Sequence, residues 1–426
     1  MNNCYNDLKE RDLIYDTIGN VANGLNNNKL DFYVGVDPSG NGSGLHVGHL
    51  LAFIVCKHLQ RFGHTPHIII GGATSALGDP SGKMSERPEI SLEQIAKNTE
   101  KIVSQVKKIL GDDIHIVNNN EWMSHLSFVD FMREMGKVIT VNQMLSKSSI
   151  KDRIAREQGL SLQEFNYMTV QGYDFLHMYR TYNCSLEIGG QDQWSNIEVG
   201  ITAINKKEHK NALGLTWPLV IDPTTGKKFG KSEGGKNIWL DGQLTSPYDF
   251  YQFFLNVSDE QAESLIKKFT MIELDEIYSL IEKHRENPSE RLLQKTLAKY
   301  MTIMIHSEKE YNKAIEASNI LFGKGTKEQL ETIDEDTLLG VMSGVNKTEI
   351  SHNEIKNGIN IIEIALKHDK IPSKGEARKL IKGNGFAINK VKITDDKSVI
   401  TESDLIGGKY LLLQKGKKDY TLAVVK

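Results

Sequence analysis

Through the first half of the chain, short apolar runs alternate with longer stretches in which apolar residues return every three or four positions. Phe32 to Val36, within a run that starts at Asp31, His67 to Ile70, Ile114 to Val117 and Leu186 to Ile188 are runs of the first kind, and their β-branched and aromatic content predicts strands. The amphipathic segments between them predict helices. Alternation of the two over residues 31–220 predicts an α/β fold, a parallel sheet with helices on both faces. From Pro247 to Phe322 the strands stop and helical periodicity takes over, with Pro247 and Pro288 placed as first-turn residues. Beyond it the chain turns polar, with Gly323, Gly325, Gly340 and Gly344, and reads as a linker with one short helix. A compact basic α+β module follows. The domains expected are therefore 1–246 (α/β), 247–325 (α-helical), 326–358 (linker) and 359–426 (α+β).

Composition adds few constraints. A chain of 426 residues, 39% hydrophobic, can build two or three cores. The net charge of −3 argues against blanket affinity for nucleic acid, yet residues 361–426 hold 14 Lys/Arg against 8 Asp/Glu, a balance of +6 that leaves −9 for the rest. Cys4, Cys56 and Cys184 are far apart, with no C-x-x-C pair. That pattern fits a reducing compartment, predicts cytoplasmic localisation, and offers neither a zinc site nor a disulfide framework. The N-terminus mixes Asp7, Glu10, Asp12 and Asp16 without an apolar core, so no export signal is expected. No run is long and apolar enough to predict a membrane span.

Candidate chemistry lies at the ends of the predicted strands, where open α/β sheets bind ligands. After the first comes Asp37-Pro38-Ser39 and then His46-Val-Gly-His49, opening an apolar helical run. Histidines there can meet phosphate at a helix N-terminus; the pair could equally be two metal ligands or a plain surface helix start. After the second comes Gly71-Gly72, then Gly78-Asp79-Pro-Ser-Gly-Lys83 and Arg87, cationic groups on a Gly-rich loop. It is no P-loop, because Leu77 and Met84 occupy positions that need Gly and Ser/Thr, and Lys231-Ser232 fails likewise with Thr225. Between Leu162 and Tyr182, the polar residues Tyr167, Gln171 and Asp174 fall at i, i+4 and i+7 on an otherwise largely apolar helix. Such a stripe needs partners, either a structural network or a polar ligand. Gly189-Gly190-Gln-Asp192-Gln193-Trp194 and Lys228-Phe-Gly-Lys231-Ser232 complete the series.

In this order the motifs resemble those of the bacterial-type tyrosyl-tRNA synthetases, class I aminoacyl-tRNA synthetases, over nearly the whole chain. His46-Val-Gly-His49 matches that family's HIGH motif and Lys228-Phe-Gly-Lys-Ser232 its KMSKS motif. Pro372-Ser-Lys-Gly-Glu-Ala-Arg-Lys379 and Gly385-Phe-Ala-Ile-Asn389 resemble an S4-type RNA-binding module. The resemblance implies a Rossmann-like catalytic domain, a helical anticodon-recognition domain and an S4-like domain. It implies tyrosine activation by ATP, Mg²⁺ accompanying the nucleotide, with no protein-bound metal, and transfer of tyrosine to tRNA(Tyr) by a homodimer. It also distributes roles: His46, His49, Lys83, Arg87, Lys228, Lys231 and Ser232 in catalysis, and Tyr33, Asp79, Tyr167, Gln171, Asp174 and Gln193 around tyrosine. ATP would be held by Ser39, His46, His49, Gly190, Asp192 and Lys231.

Three positions depart from the common bacterial pattern. Val34 stands where a cysteine often contacts the ribose, Glu187 replaces a frequent glutamine, and the loop Ser39-Gly-Asn-Gly-Ser-Gly44 is about two residues longer than usual. Two rivals stay open on sequence: the tryptophan enzyme, which shares both nucleotide motifs, and a synthetase-derived RNA-binding protein that no longer activates an amino acid.

Overall fold

The computed structural model describes residues 3–39, 44–79, 90–155, 159–221, 226, 228–231, 236–322, 327–333, 335, 338–339, 342, 345–416 and 419–426. Six strands, β1 (Asp16–Ile18), β2 (Asp31–Val36), β3 (Thr65–Ile70), β4 (His115–Asn118), β5 (Cys184–Gly190) and β6 (Leu213–Trp217), form one sheet in the order β1-β6-β5-β2-β3-β4. Every pair is parallel except β1 with β6. Unbroken apolar runs such as Ile68-Ile69-Ile70, all buried, are what strands covered on both faces require. The short edge strand β1 carries only partly covered side chains, so periodicity gave it no signal.

Chain order runs β2-β3-β4 toward one edge and β5-β6 toward the other. The winding therefore reverses between β2 and β5, and the crevice beyond their carboxyl ends collects the loops after Val36 and Gly190. A bulge tunes that junction. Asp31 pairs with Cys184, but Phe32 pairs with Leu186 and Tyr33 with Glu187. The extra residue, Ser185, changes which β5 side chains share the face of Tyr33 and puts Glu187 there.

Two compact units divide the chain: Met1–Thr245 with Phe253–Ile305, and Ser246–Gln252 with His306–Lys426. The helical stretch expected as one domain over 247–325 is thus split between them. Periodicity shows that a helix has a buried face but not which core receives it. In the first unit, Arg11 accounts for part of the attachment. Fully buried, it donates from Nε to Asp7 Oδ2 at 3.0 Å and from its terminal nitrogens to the carbonyls of Thr270 (3.1 Å) and Ile272 (2.7 Å), at the end of the Asp259–Phe269 helix. Both carbonyls lie just past the last turn of that helix, where no intrahelical donor reaches them.

The second unit holds a sheet of β7 (Asn346–Ile350), β9 (Phe386–Ile388), β10 (Val391–Lys392), β12 (Tyr410–Lys415) and β13 (Asp419–Val425), in the order β10-β9-β12-β13-β7. β8 (Ile359–Asn360) and β11 (Val399–Ile400) form a separate pair. Helices Ile361–Leu366 and Lys374–Lys382 pack on a core that includes Ile350, Ile364, Ile381, Leu411 and Leu413. The expected 326–358 linker therefore contains a strand of this sheet, paired in parallel with β13. As an edge strand with only Ile350 buried, it looks polar in sequence.

Removing Arg11 would take the guanidinium from Asp7 and its donated hydrogen bonds from the carbonyls of Thr270 and Ile272. Arg11→Ala should cost the first unit about 3–5 kcal/mol, read as a lower urea midpoint by tryptophan fluorescence, since Trp122, Trp194, Trp217 and Trp239 all lie in this unit. An unchanged midpoint would show that the network contributes nothing net.

Candidate active site

His46 is the N-cap of the Val47–Arg61 helix. Its Nδ1 accepts from the Gly48 amide at 3.0 Å, and His49 Nδ1 accepts from the His46 amide at 3.2 Å. Each ring thus spends its Nδ1 lone pair on a backbone N–H, so the neutral imidazole carries its proton on Nε2 and offers it as a donor. The rings stack with centroids 3.9 Å apart. Burial, and secondarily the Lys231 charge, lowers the His46 pKa from 6.5 to about 4. At neutral pH His46 is an uncharged donor at a helix N-terminus with the His49 ring stacked on it, a setting suited to phosphate oxygens.

The second lysine-rich motif lies against the same helix end. Val47 N donates to Ile238 O and Ile238 N to Gly230 O, each at 2.9 Å, and His46 bridges to Trp239. Gly230 has φ +104°, and a Cβ there would stand 2.9 Å from the Gly48 nitrogen, so only glycine fits. Phe229 anchors the segment among Phe253, Phe254 and Phe269. Lys228 Nζ lies 3.3 Å from Asp192 Oδ2. Lys83, Arg87 and Ser232 fall outside the described residues.

A cavity of about 70 Å³ opens at the β2/β5 reversal, and Tyr33, Tyr167, Gln171, Asp174, Glu187 and Gln193 are among its lining. The polar stripe on the Leu162–Tyr182 helix thus faces both a network and a hollow. Gln171 Nε2 donates to Glu187 Oε1 (3.1 Å), Asn196 Nδ2 to both Gln171 Oε1 (2.9 Å) and Gln193 Oε1 (3.0 Å), and Gln193 Nε2 to Asp79 Oδ2 (2.8 Å). Asp174 accepts from Trp122 Nε1 at 2.8 Å and Asn119 Nδ2 at 3.0 Å. Burial nonetheless raises its pKa from 3.8 to about 7, against the lowering by these two donors. Burial likewise raises the Tyr167 hydroxyl, with the charges of Asp79, Asp37 and Asp174 adding to it. That acidic surround would attract a cation beside Tyr167.

The Tyr33 hydroxyl faces the Glu187 carboxyl, but neither Tyr33 Oη nor Glu187 Oε2 completes a hydrogen bond of normal geometry among the described residues. Ser39 is turned onto its own loop, its Oγ donating to Asp37 Oδ2 at 2.8 Å. Gly190 is a close-approach position, where a Cβ would meet Asp192 Oδ1 at 2.7 Å. Val34 is buried and does not line the cavity.

Sequence reading missed Asn119, Trp122 and Asn196. The first two follow β4 directly, the strand-end position where ligand residues gather, and Asn196 lies one helical turn after Gln193.

Burial raises the Glu187 pKa from 4.5 to about 8, more than the neighbouring Gln171 amide and Tyr33 hydroxyl lower it. A carboxyl that folding makes harder to ionise contributes stability at low pH that is lost as pH rises through that window. Glu187→Gln should therefore gain thermal stability relative to the parent between pH 4.5 and about 8, measured as the difference in Tm across pH. A difference that stays flat would show that folding does not raise the Glu187 pKa.

The chain matches the family model of class I tRNA synthetases (W and Y) over residues 25–323 and that of a tyrosine–tRNA ligase SYY-like C-terminal domain over 340–423. It is 47% identical over 433 aligned residues to a tyrosine–tRNA ligase of Bacteroides thetaiotaomicron and 45% to one of Porphyromonas gingivalis, covering all of each chain. Among solved structures, a C-terminally truncated mitochondrial tyrosyl-tRNA synthetase of Aspergillus nidulans superposes with a TM-score of 0.66 at 27% identity, over 74% of this chain and 92% of that one. With its sheet, paired histidines and lysine-rich loop arranged as described, the chain belongs to the bacterial-type tyrosyl-tRNA synthetases of class I.

Proposed function

We propose that the protein joins L-tyrosine to ATP, releasing pyrophosphate and forming tyrosyl-adenylate, and then passes the tyrosyl group to the 3′ end of tRNA(Tyr). The observation that carries this reading is one cavity with an acidic, hydroxyl-lined end beside Asp174 and Tyr33 and a neighbouring pair of stacked histidines. A tyrosine placed there would give its phenolic hydroxyl to Tyr33 and Asp174, and its ammonium to Asp79, Tyr167 and Gln171, where the carboxylates gather. Gln193, which ties Asp79 to Asn196, would hold the ammonium end in place. A site built to hydrogen-bond a hydroxyl rejects the analogue without one, because its buried groups are then left unpaired.

The carboxylate of tyrosine attacks the α-phosphate and pyrophosphate leaves. No protein nucleophile is needed, so catalysis consists of positioning and of binding the charge that develops. Nε2–H of His46 and His49, with Ser39, would donate to phosphate oxygens, while Gly190 lets the ribose approach and Asp192 would accept from its hydroxyls. Lys228 and Lys231, together with Ser232, Lys83 and Arg87, would close on the departing pyrophosphate. Mg²⁺ would enter as part of the nucleotide substrate.

Residues 359–426, part of the second unit, would act as an S4-like RNA-binding module. Lys374, Arg378, Lys379 and Lys382 are exposed along one short helix, a positive face suited to phosphodiesters. The helices after Pro247 would contribute to anticodon recognition. A homodimer could cover exposed large apolar residues such as Phe128 (77%), Val129, Met132, Val141, Leu145 and Leu162 (77%). Three buried free cysteines fit the cytoplasm, and no described helix is long and apolar enough to cross a membrane.

ATP–pyrophosphate exchange with tyrosine, phenylalanine and tryptophan in separate reactions tests the reading. Exchange with tyrosine alone is expected, and preference for tryptophan would overturn it. Lys231→Ala should slow that exchange at least tenfold with little change in tyrosine affinity; an unchanged rate would remove Lys231 from the chemistry. Lys379→Glu with Lys382→Glu should lower tRNA charging at least tenfold and flatten its salt dependence while tyrosine exchange persists. Charging at the parental rate would place the tRNA elsewhere.

A further inference from the structure

Glu187 is a carboxyl to which tyrosine activation, as derived above, gives no task. It stands opposite Tyr33 in the parallel register of β2 and β5, each of the two is 2% exposed, and both line one cavity with Asp174. The Tyr33 hydroxyl faces the Glu187 carboxyl. Oε1 of that carboxyl accepts from Gln171, while Oε2 and the Tyr33 hydroxyl have no other partner among the described residues. The titratable groups around Glu187 are Tyr33 from β2, Asp174 and Tyr167 from the Leu162–Tyr182 helix, Asp37 from the loop after β2, and Cys184 on its own strand beside Tyr33. No lysine or arginine is among the described residues that line the cavity.

Two carboxyls buried in one cavity without a cation do not both stay ionised, and the one with fewer donors takes the proton. Asp174 has an N–H donor on each side, from Trp122 and Asn119, which favours its charge. Glu187 has a donor on Oε1 alone, so its proton belongs on Oε2. Burial, which holds the Glu187 pKa at about 8, agrees with that assignment. From this geometry we infer that Glu187 is a positioning residue that acts through Tyr33: protonated on Oε2, it donates to the Tyr33 oxygen and so turns the Tyr33 O–H toward the phenolic oxygen of bound tyrosine. The phenol in turn donates to Asp174, and one directed chain of hydrogen bonds runs from Glu187 through Tyr33 and the substrate to Asp174. Contacts of this kind tighten when substrate fills the site. Ionised, Glu187 would reverse the first link. It would accept the Tyr33 proton, and the substrate oxygen would lose its donor.

The inference rests on the tyrosine-activating reading, and a pH profile separates the two. With purified full-length protein, kcat/KM for L-tyrosine is measured by pyrophosphate exchange from pH 6 to 9 in the parent, Glu187→Gln and Glu187→Met. A glutamine amide accepts from Gln171 and donates to Tyr33 at every pH. Dividing by that variant therefore removes every titration the two proteins share, that of the substrate ammonium included. Parent and Glu187→Gln should agree at pH 6, and the parent should fall about tenfold below the variant by pH 9, where about a tenth of Glu187 keeps its proton. Glu187→Met should lie about tenfold below Glu187→Gln throughout, the loss expected of one buried hydrogen bond left unmade. In a Tyr33→Phe background the same Glu187→Met change should cost under about twofold, because the hydroxyl through which it acts is gone. No exchange with L-tyrosine in the parent at any pH would overturn the tyrosine reading itself. Exchange with a parent-to-Gln ratio constant across pH, or a tenfold loss from Glu187→Met that persists without the Tyr33 hydroxyl, would overturn only the role of Glu187.

Discussion

The site depends on how closely the Leu162–Tyr182 helix can approach the Trp194–Glu208 helix. A Cβ on Gly172 would stand 2.7 Å from Val199 Cγ1 and 3.2 Å from the Gly200 nitrogen, and one on Gly200 would stand 2.7 Å from Phe175 Cβ. Two glycines facing each other's helices let the backbones meet with no side chain between them. That contact brings Gln171 within reach of Asn196, and Asn196 within reach of Gln193. From Gln193 the chain of hydrogen bonds continues to Asp79, and from Gln171 to Glu187. Side-chain amides are short, and a separation larger by one methyl group would break the network at its middle.

A network of this kind has a cost as well as a use. Burial pushes the carboxyls of Asp174 and Glu187 upward and the His46 imidazole downward, so water has been stripped from groups that prefer it. Partners already in place offset part of that cost. Trp122 and Asn119 hold both oxygens of Asp174, and Trp122 is itself fixed by stacking on His177 with centroids 4.3 Å apart. A carboxyl held from two sides keeps one orientation at the cavity wall. Preorganisation of this sort places the reorganisation cost in folding rather than in binding.

The sequence showed the pocket helix more clearly than its surroundings. Tyr167, Gln171 and Asp174 stand out because a buried helix carrying three polar residues at helical spacing demands an explanation, and they do line one cavity. Asn119 and Trp122 left no such mark, since a single Asn or Trp after a strand is unremarkable until the strand's place in the sheet is known. Glu187 was visible as a residue but not as a neighbour of Tyr33. The bulge at Ser185 sets that pairing, and bulges leave little trace in hydrophobic patterns. The same limit explains β7. An edge strand with one buried residue has the composition of a linker, so its membership in the second sheet follows from pairing with β13 and not from its own residues.

The joint between the two lysine- and histidine-bearing segments shows how a rigid scaffold can carry a movable group. Gly230 and Gly48 touch through backbone, and Phe229 is buried among three phenylalanines, so the base of the loop is fixed. Lys228 and Lys231 on either side are exposed. A charged head on a flexible stem is free to follow developing charge if its backbone is anchored. Lys228 lies 3.3 Å from Asp192, with more than half of its side chain in solvent. Exposed pairs of this kind are weak, so in the function proposed above a nucleotide offering a ribose to the carboxylate and phosphates to the ammonium would replace the pair with two stronger contacts. The fold thus holds this segment at Phe229 and Gly230 and leaves the lysines on either side exposed.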